Sequence, residues 1–173
     1  MTQAARVYGE SMYALALEEG LTGEILEEMK VIRTLFQENP DYVHLLSEPS
    51  IPGNERIDLI EAAFGNQTER YLVNFLKLLC ERNLLREFGG CCDEYARLYN
   101  RDNGIAEATA TSAVPMTEAQ AEALKQKLEK LSGKKISLSL KTDPSLLGGV
   151  RVELEGKELD GTVKGRLDGL SRK

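Results

Sequence analysis

The chain has 173 residues, of which 42% are hydrophobic and 29% are charged, and its formal net charge is −6. This length allows one mid-sized domain or two small ones, and the apolar fraction argues against a disordered chain. No apolar run approaches the roughly 18 residues that span a bilayer, and the N-terminus lacks a signal-peptide pattern. We therefore expect a cytoplasmic protein that is attached to a membrane at most peripherally.

Charge and periodicity divide the chain near Asn103-Gly104. Residues 1–104 contain 10 Lys and Arg against 18 Asp and Glu, whereas the remainder contains 12 against 10. Helical spacing of apolar residues runs through the first part, and strand alternation appears in the second. We predict an α+β protein, mostly α, with one domain over residues 1–104 and a second over 105–173.

Turn and breaker residues divide the first domain into six helices. Gly20 is suited to end the first helix in a left-handed conformation, and Pro40 ends the second. Because the links between the helices are short, we expect neighbouring helices to pack together as a compact six-helix bundle. The predicted helices cover about 3–19, 23–38, a short segment after Asp41, 54–64, 67–82 and 85–101.

The first and fifth helices are more apolar than one-sided packing requires. Tyr8, Ser11 and Leu15 share one face of the first helix, and Met12 extends it. In the fifth helix, apolar residues cover well over half of the circumference. Either these helices lie at the centre of the bundle, or they flank a groove that receives the apolar face of a partner helix.

The second domain has the pattern of a small β-α-β-β-α unit. Thr117 and Gln120 form a capping box that opens its first helix, and Gly133 follows the end of that helix. Strand alternation, weakest in the first strand because its side chains are small, predicts strands over 105–113, 136–140 and 150–154.

The last part of the chain has the most distinctive pattern. A Gly-Gly turn precedes the third strand, Asp-Gly breaks it, and a helix with apolar residues at i, i+4 and i+7 follows. The sequence SLLGG, the β-run and LDGTVKGRLDGL together resemble the C-terminal signature of the delta subunit of the rotary F-type ATP synthase, the oligomycin-sensitivity-conferring subunit of mitochondria. The residues of this signature are Gly148, Gly149, Asp160, Gly161, Val163, Leu167 and Leu170.

Two N-terminal segments extend this resemblance over most of the chain. RVYGESMYALALEEG is similar to the start of the delta subunit, although Gly9 replaces an alanine often found there, and VNFLKLLCERNLL is similar to its fifth helix. In that family, helices one and five of the N-terminal domain bind the N-terminal helix of an alpha subunit. The resemblance therefore implies a partner-binding groove formed by Tyr8, Ser11, Met12, Leu15, Asn74 and Leu78.

The resemblance also implies the function. It predicts a non-catalytic stator subunit, present as one copy per complex at the cytoplasmic face of the cell membrane. Its second domain would meet the C-terminal ends of the b-subunit peripheral stalk, so that the catalytic head cannot turn with the rotor. Proton-driven rotation would thereby be coupled to ATP synthesis.

The residues give little support for catalysis. His44 is the one histidine, and no cysteine lies at metal-ligand spacing from it. The glycine-rich segments match neither nucleotide-binding fingerprint, so turns explain them better. Cys80, Cys91 and Cys92 are expected to be reduced thiols that fill helix faces. We predict no cofactor and no metal.

RNA binding is the alternative from another class. The segment KLEKLSGKKISLSLK supplies a cluster of lysines on the second domain. No aromatic residue interleaves this cluster for base stacking, and the chain as a whole is acidic. We therefore predict no nucleic-acid partner, and strongly salt-dependent RNA binding would contradict this prediction.

Overall fold

The computed structural model describes residues 1–146 and 149–159. Over these residues the chain is α+β and mostly helical, which confirms the predicted fold class. The contacts within the chain separate one compact unit that ends at Tyr99 from a second unit that begins at Asn100.

The helices that come before the first strand agree with the predicted bounds to within three residues. The one difference in kind lies at residues 85–87, where a 3-10 helix stands in place of the first turn of the predicted sixth helix. The helices are α1 Gln3–Glu19, α2 Thr22–Glu38, α3 Pro40–Leu46, α4 Gly53–Phe64, α5 Arg70–Glu81, the 3-10 helix Leu85–Glu87 and α6 Phe88–Asp102.

The ends of α1 show how the sequence sets its bounds. The Thr2 side chain accepts a hydrogen bond from the Ala5 amide at 3.1 Å, which satisfies one amide of the first turn. Gly20 has φ +71°, and the Leu21 amide donates to the Ala16 carbonyl at 2.8 Å. This is a Schellman arrangement, in which glycine enters the left-handed region without a steric penalty.

One hydrophobic core holds the helices of the first unit together. Tyr95 lies at its centre, fully buried, and its hydroxyl donates to the Thr22 carbonyl at 2.9 Å. The Tyr95 ring meets the edge of Tyr13 with centroids 5.2 Å apart, a favoured geometry for aromatic pairs. Because the only polar atom of this buried ring is satisfied, Tyr95 can join α1, α2 and α6 at low cost.

Glycine brings α1 very close to α6. A Cβ added at Gly9 would lie 2.8 Å from the Cys91 carbonyl oxygen and 2.9 Å from the Glu94 Cβ. A Cβ added at Gly90 would lie 2.8 Å from the Ala5 Cβ. Gly9 therefore weakens the helix, as its low helix propensity predicts, but it also allows the two backbones to approach.

The second unit contains one described helix and a four-stranded sheet. The sheet order is β2-β1-β3-β4; β1 and β2 are parallel, and the other neighbouring pairs are antiparallel. The elements are β1 Ile105–Ser112, α7 Glu118–Ser132, β2 Lys135–Thr142, β3 Val150–Leu154 and β4 Lys157–Glu158.

Strand β4 was not predicted. Glu155 and Gly156 have φ +51° and +78°, so they form a tight turn that returns the chain antiparallel to β3. Only two residues of β4 pair, which is too short a segment to show the alternation that marks a strand. The alternation of apolar and polar residues therefore gave no sign of a fourth strand after β3.

The small side chains of β1 belong to a second, separate core. Ala106, Ala108 and Ala110 are buried in one cluster with Leu124 and Leu128 of α7. The capping box that opens α7 is present, with Thr117 accepting from the Gln120 amide and the Gln120 side chain accepting from the Thr117 amide. This confirms the predicted start of α7.

The signature residues of the last segment lie mostly outside the described residues. Gly149 is described, and its φ of +82° fits the turn predicted before β3. The predicted final helix is not within the described ranges. The remaining members, Gly148, Asp160, Gly161, Val163, Leu167 and Leu170, also lie outside them.

Candidate partner-binding site on α1 and α5

The last residue of helix α1 interacts with the first turn of helix α5. Tyr71 lies in the first turn of α5, and Glu19 is the last residue of α1. Interaction with the Glu19 carboxylate raises the pKa of Tyr71, because hydrogen bonding to that group and its negative charge both favour the protonated phenol. The C-terminal end of α1 therefore lies beside the N-terminal end of α5.

The start of α5 is also fixed by α2. The Glu69 amide donates to the carboxylate of Glu28 at 2.9 Å, and the Glu69 side chain accepts from the Tyr71 amide at 2.6 Å. Burial raises the pKa of Glu28, although the bond from the Glu69 amide opposes that rise. Two carboxylates thus accept hydrogen bonds from amides at the N-terminal end of α5, where the helix dipole is positive. The bond to Glu28 fixes this end of α5 against α2.

The structure places most of the predicted groove residues at the surface. Ser11 and Asn74 are exposed, Tyr8 and Leu15 are half-buried, and Leu78 is 38% exposed. These side chains are accessible to a partner helix. Part of each helix therefore packs in the core, and part faces outward.

Met12 is the exception among the predicted groove residues. Its side chain is only 2% exposed and belongs to the core cluster of the first unit. Met12 therefore packs in the core and offers almost no contact area to a partner helix.

Two apolar residues of α1 outside the predicted groove are more exposed than its apolar members on that helix, which are Tyr8, Met12 and Leu15. Val7 is 49% and Leu17 is 58% exposed. Val7 lies four residues before Ser11, and the Ser11 hydroxyl donates to the Val7 carbonyl at 2.7 Å, so both residues share one face. Because α1 is apolar around most of its circumference, periodicity alone could not tell which side faced solvent.

The cysteines are not suited to nucleophilic chemistry. All three are free and buried, as predicted. Burial raises the pKa of both Cys91 and Cys92 to about 12, so their thiols are neutral at physiological pH. The reactive form of cysteine is the thiolate, and these positions suppress it.

The lysine cluster of the second unit is partly neutralised. Lys134, between α7 and β2, donates to the Glu155 carboxylate at 2.7 Å. In the described part of the chain, no helix combines the length and the apolar character that a bilayer span requires.

Comparison with known proteins gives one consistent result. The family model "ATP synthase delta (OSCP) subunit" matches residues 4–173. An ATP synthase subunit delta from Synechococcus elongatus is 30% identical over 95% of this chain and 92% of its own length. Those from Clostridioides difficile and Alkaliphilus oremlandii are 30% and 32% identical, over 98% and 92% of this chain and 94% and 89% of their own lengths.

A solved structure shares the fold. A chain of the mitochondrial ATP synthase hexamer from Toxoplasma gondii superposes with a TM-score of 0.75 at 15% identity, over 99% of this chain and 96% of that one. The sequence matches confirm the resemblance seen in the N- and C-terminal motifs. The chain therefore belongs to the ATP synthase delta (OSCP) subunit family, and it is a non-catalytic stator subunit, a peripheral part of a membrane-bound complex.

Proposed function

We propose that helices α1 to α6 act as a six-helix bundle, and that the face shared by α1 and α5 binds the N-terminal helix of an alpha subunit. The observation that carries this proposal is the exposed apolar surface on two helices that otherwise build the core. Val7, on the Ser11 face of α1, and Leu78 of α5 leave apolar area in water that a partner helix would bury.

The alpha-subunit helix would use apolar anchors more than ion pairs. Side chains buried at the centre of an interface dominate binding energies, whereas exposed salt bridges contribute little. Tyr8, Leu15 and Leu78 are the candidate anchors, and Asn74 can hydrogen-bond at the rim. A stator needs a long-lived attachment, which such anchors on rigid helices provide.

The second unit would bind the C-terminal ends of the b-subunit peripheral stalk. With the first unit on the catalytic head and the second on the stalk, one copy of the chain would keep the head from turning with the rotor. The complex would hold this connection at the cytoplasmic face of the cell membrane. This assignment rests on membership of the family, since several signature residues lie outside the described ranges.

Calorimetric titration of the full chain with a synthetic peptide of the host's own alpha-subunit N-terminus tests the groove. We expect saturable 1:1 binding that Leu78→Asp weakens at least tenfold, because it places a charge where an apolar anchor must be desolvated. Leu59→Asp is the matched control, since Leu59 lies on α4 with 37% exposure, almost equal to that of Leu78. Equal weakening by both variants would contradict the groove assignment.

The assembled complex tests the consequence for coupling. Leu78→Asp should separate proton flow from ATP turnover while ATP hydrolysis by the detached head persists, because the chain contributes no catalytic group. Circular dichroism of the variant must retain its helical signal. Full coupling in a complex that contains the folded variant would contradict the proposal.

A further inference from the structure

A second groove lies in the first unit, and none of its lining residues belongs to α1 or α5. It is formed by the end of α2, by α3, by the 3-10 helix and by the start of α6, and its volume is about 410 Å³. Phe36, Val43, Leu85 and Phe88 supply apolar lining. A concave apolar site of this size is within the range that binds a ligand or a few side chains of a partner.

The rim of this groove is cationic. Arg86 is exposed and forms no hydrogen bond or ion pair with any residue in the described part of the chain. Arg33 also lines the groove and donates to the Asp93 carboxylate at 2.6 Å, but Asp93 is not a lining residue. No lining residue among the described ones is acidic. The Arg86 guanidinium is therefore available to an incoming carboxylate, which can accept two parallel hydrogen bonds from it.

The positive charge of the arginines in this groove contrasts with the negative net charge of the first unit. Residues 1–104 have a balance of −8, so most of the first unit repels an anionic segment. A groove that combines apolar lining with an arginine that has no ion-pair partner among the described residues is complementary to a segment in which a carboxylate adjoins large apolar side chains. Electrostatic complementarity of this kind contributes to specificity and to the rate of association.

We propose that this second groove binds a short segment of a neighbouring subunit, in which Asp or Glu is flanked by large apolar residues. The carboxylate pairs with Arg86, and the apolar side chains cover the half-buried Phe36 and Val43. The groove is more open than enclosed, which suits a segment of a larger chain better than a free fatty acid, since small ligands are usually almost enclosed. Membership of a multi-subunit complex places other chains nearby.

Site-specific photocrosslinking in the assembled complex tests this proposal. The probe is p-benzoylphenylalanine incorporated at Gln37, an exposed residue that lines the groove. We expect a crosslink to another subunit, within a tryptic peptide that contains an acidic residue between apolar ones. Absence of a crosslink, a crosslink to a basic or wholly polar segment, or a crosslink to a lipid would overturn the proposal.

Affinity measurements with the crosslinked segment test the role of Arg86. A synthetic peptide of that segment should bind the full chain, and Arg86→Gln should weaken binding about tenfold, the effect of one charge-assisted hydrogen bond. Arg82→Gln is the matched control, because Arg82 is equally an exposed arginine and does not line the groove. Equal affinities of wild type and Arg86→Gln would overturn the assignment.

This inference stands apart from the proposed function, and the two can fail separately. Leu78→Asp should leave binding of the crosslinked segment unchanged, and Arg86→Gln should leave binding of the alpha-subunit peptide unchanged. If Leu78→Asp abolished binding of both peptides in a folded chain, the second groove would not be an independent site, and the proposal would be wrong.

Discussion

At the scale of single residues, glycine decides how closely α1 and α6 can approach. The carbonyl oxygen of Cys91 occupies the space where a Cβ on Gly9 would stand. A backbone oxygen cannot move aside as the end of a flexible side chain can, so a larger residue must push the helices apart. By contrast, a Cβ added at Gly89 of α6 would have no atom within 4 Å.

Gly9→Ala and Gly89→Ala should therefore change stability in opposite directions. Alanine gains up to about 1 kcal/mol of helix propensity over glycine, but overpacking costs about 1–3 kcal/mol. We expect Gly9→Ala to lower the free energy of unfolding by about 1–2 kcal/mol and Gly89→Ala to raise it by up to about 1 kcal/mol. Urea denaturation followed by circular dichroism measures both, and a stabilising Gly9→Ala would contradict the close crossing.

At the scale of elements, a buried arginine ties the end of α5 to α3 and α4. Arg56 of α4 is only slightly exposed, and its Nη1 donates to the Leu46 carbonyl at 3.1 Å and to the Asn83 Oδ1 at 3.0 Å. Asn83 follows α5 with φ +56°, and the Leu84 amide donates back to the Leu79 carbonyl at 2.7 Å. Asn83 thus both ends a helix and accepts a hydrogen bond from a buried cation.

Two substitutions at Asn83 separate these roles. Asn83→Gly removes the acceptor of Arg56 but fits the left-handed backbone, whereas Asn83→Ala removes the acceptor and also disfavours that backbone. We expect Asn83→Gly to cost about 1–2 kcal/mol and Asn83→Ala about 1 kcal/mol more. Thermal unfolding of the three proteins measures the difference, and equal stabilities of the two variants would refute a role for the backbone conformation.

At the scale of the whole molecule, the described residues form two hydrophobic cores that share no residue. Leu76 belongs to the core of the helical unit, and Leu128 belongs to the core of the sheet and α7. Both side chains are fully buried. Truncation of either one leaves a cavity in its own core, and the cost of such a cavity is local to the packing around it.

Leu76→Ala and Leu128→Ala should each destabilise one unit. Loss of a buried leucine side chain costs about 2–5 kcal/mol, so hydrogen exchange should quicken in the unit that contains the substitution. Amides of α5 should lose protection in Leu76→Ala, and amides of β1 in Leu128→Ala. Loss of protection in both units on either substitution would show that they unfold together.

The bounds of the described α-helices and of strands β1 to β3 followed from the sequence to within three residues, because they depend on local chemistry. Gly20 ends α1, the capping box at Thr117 opens α7, and alternation marks β3. These signals act over a few residues, so no tertiary information is needed to interpret them. The C-terminal motif also identified the family, since its glycines and apolar spacing form a specific combination.

Only the tertiary structure decided which apolar side chains face solvent. Met12 is buried while Val7 and Leu17 are exposed, although α1 is apolar on nearly every side. The need for glycine at position 9 and the assembly of the second groove depend on residues far apart in the chain. Sequence spacing determines which residues share a face of one helix, but the packing of helices against one another determines whether that face is covered.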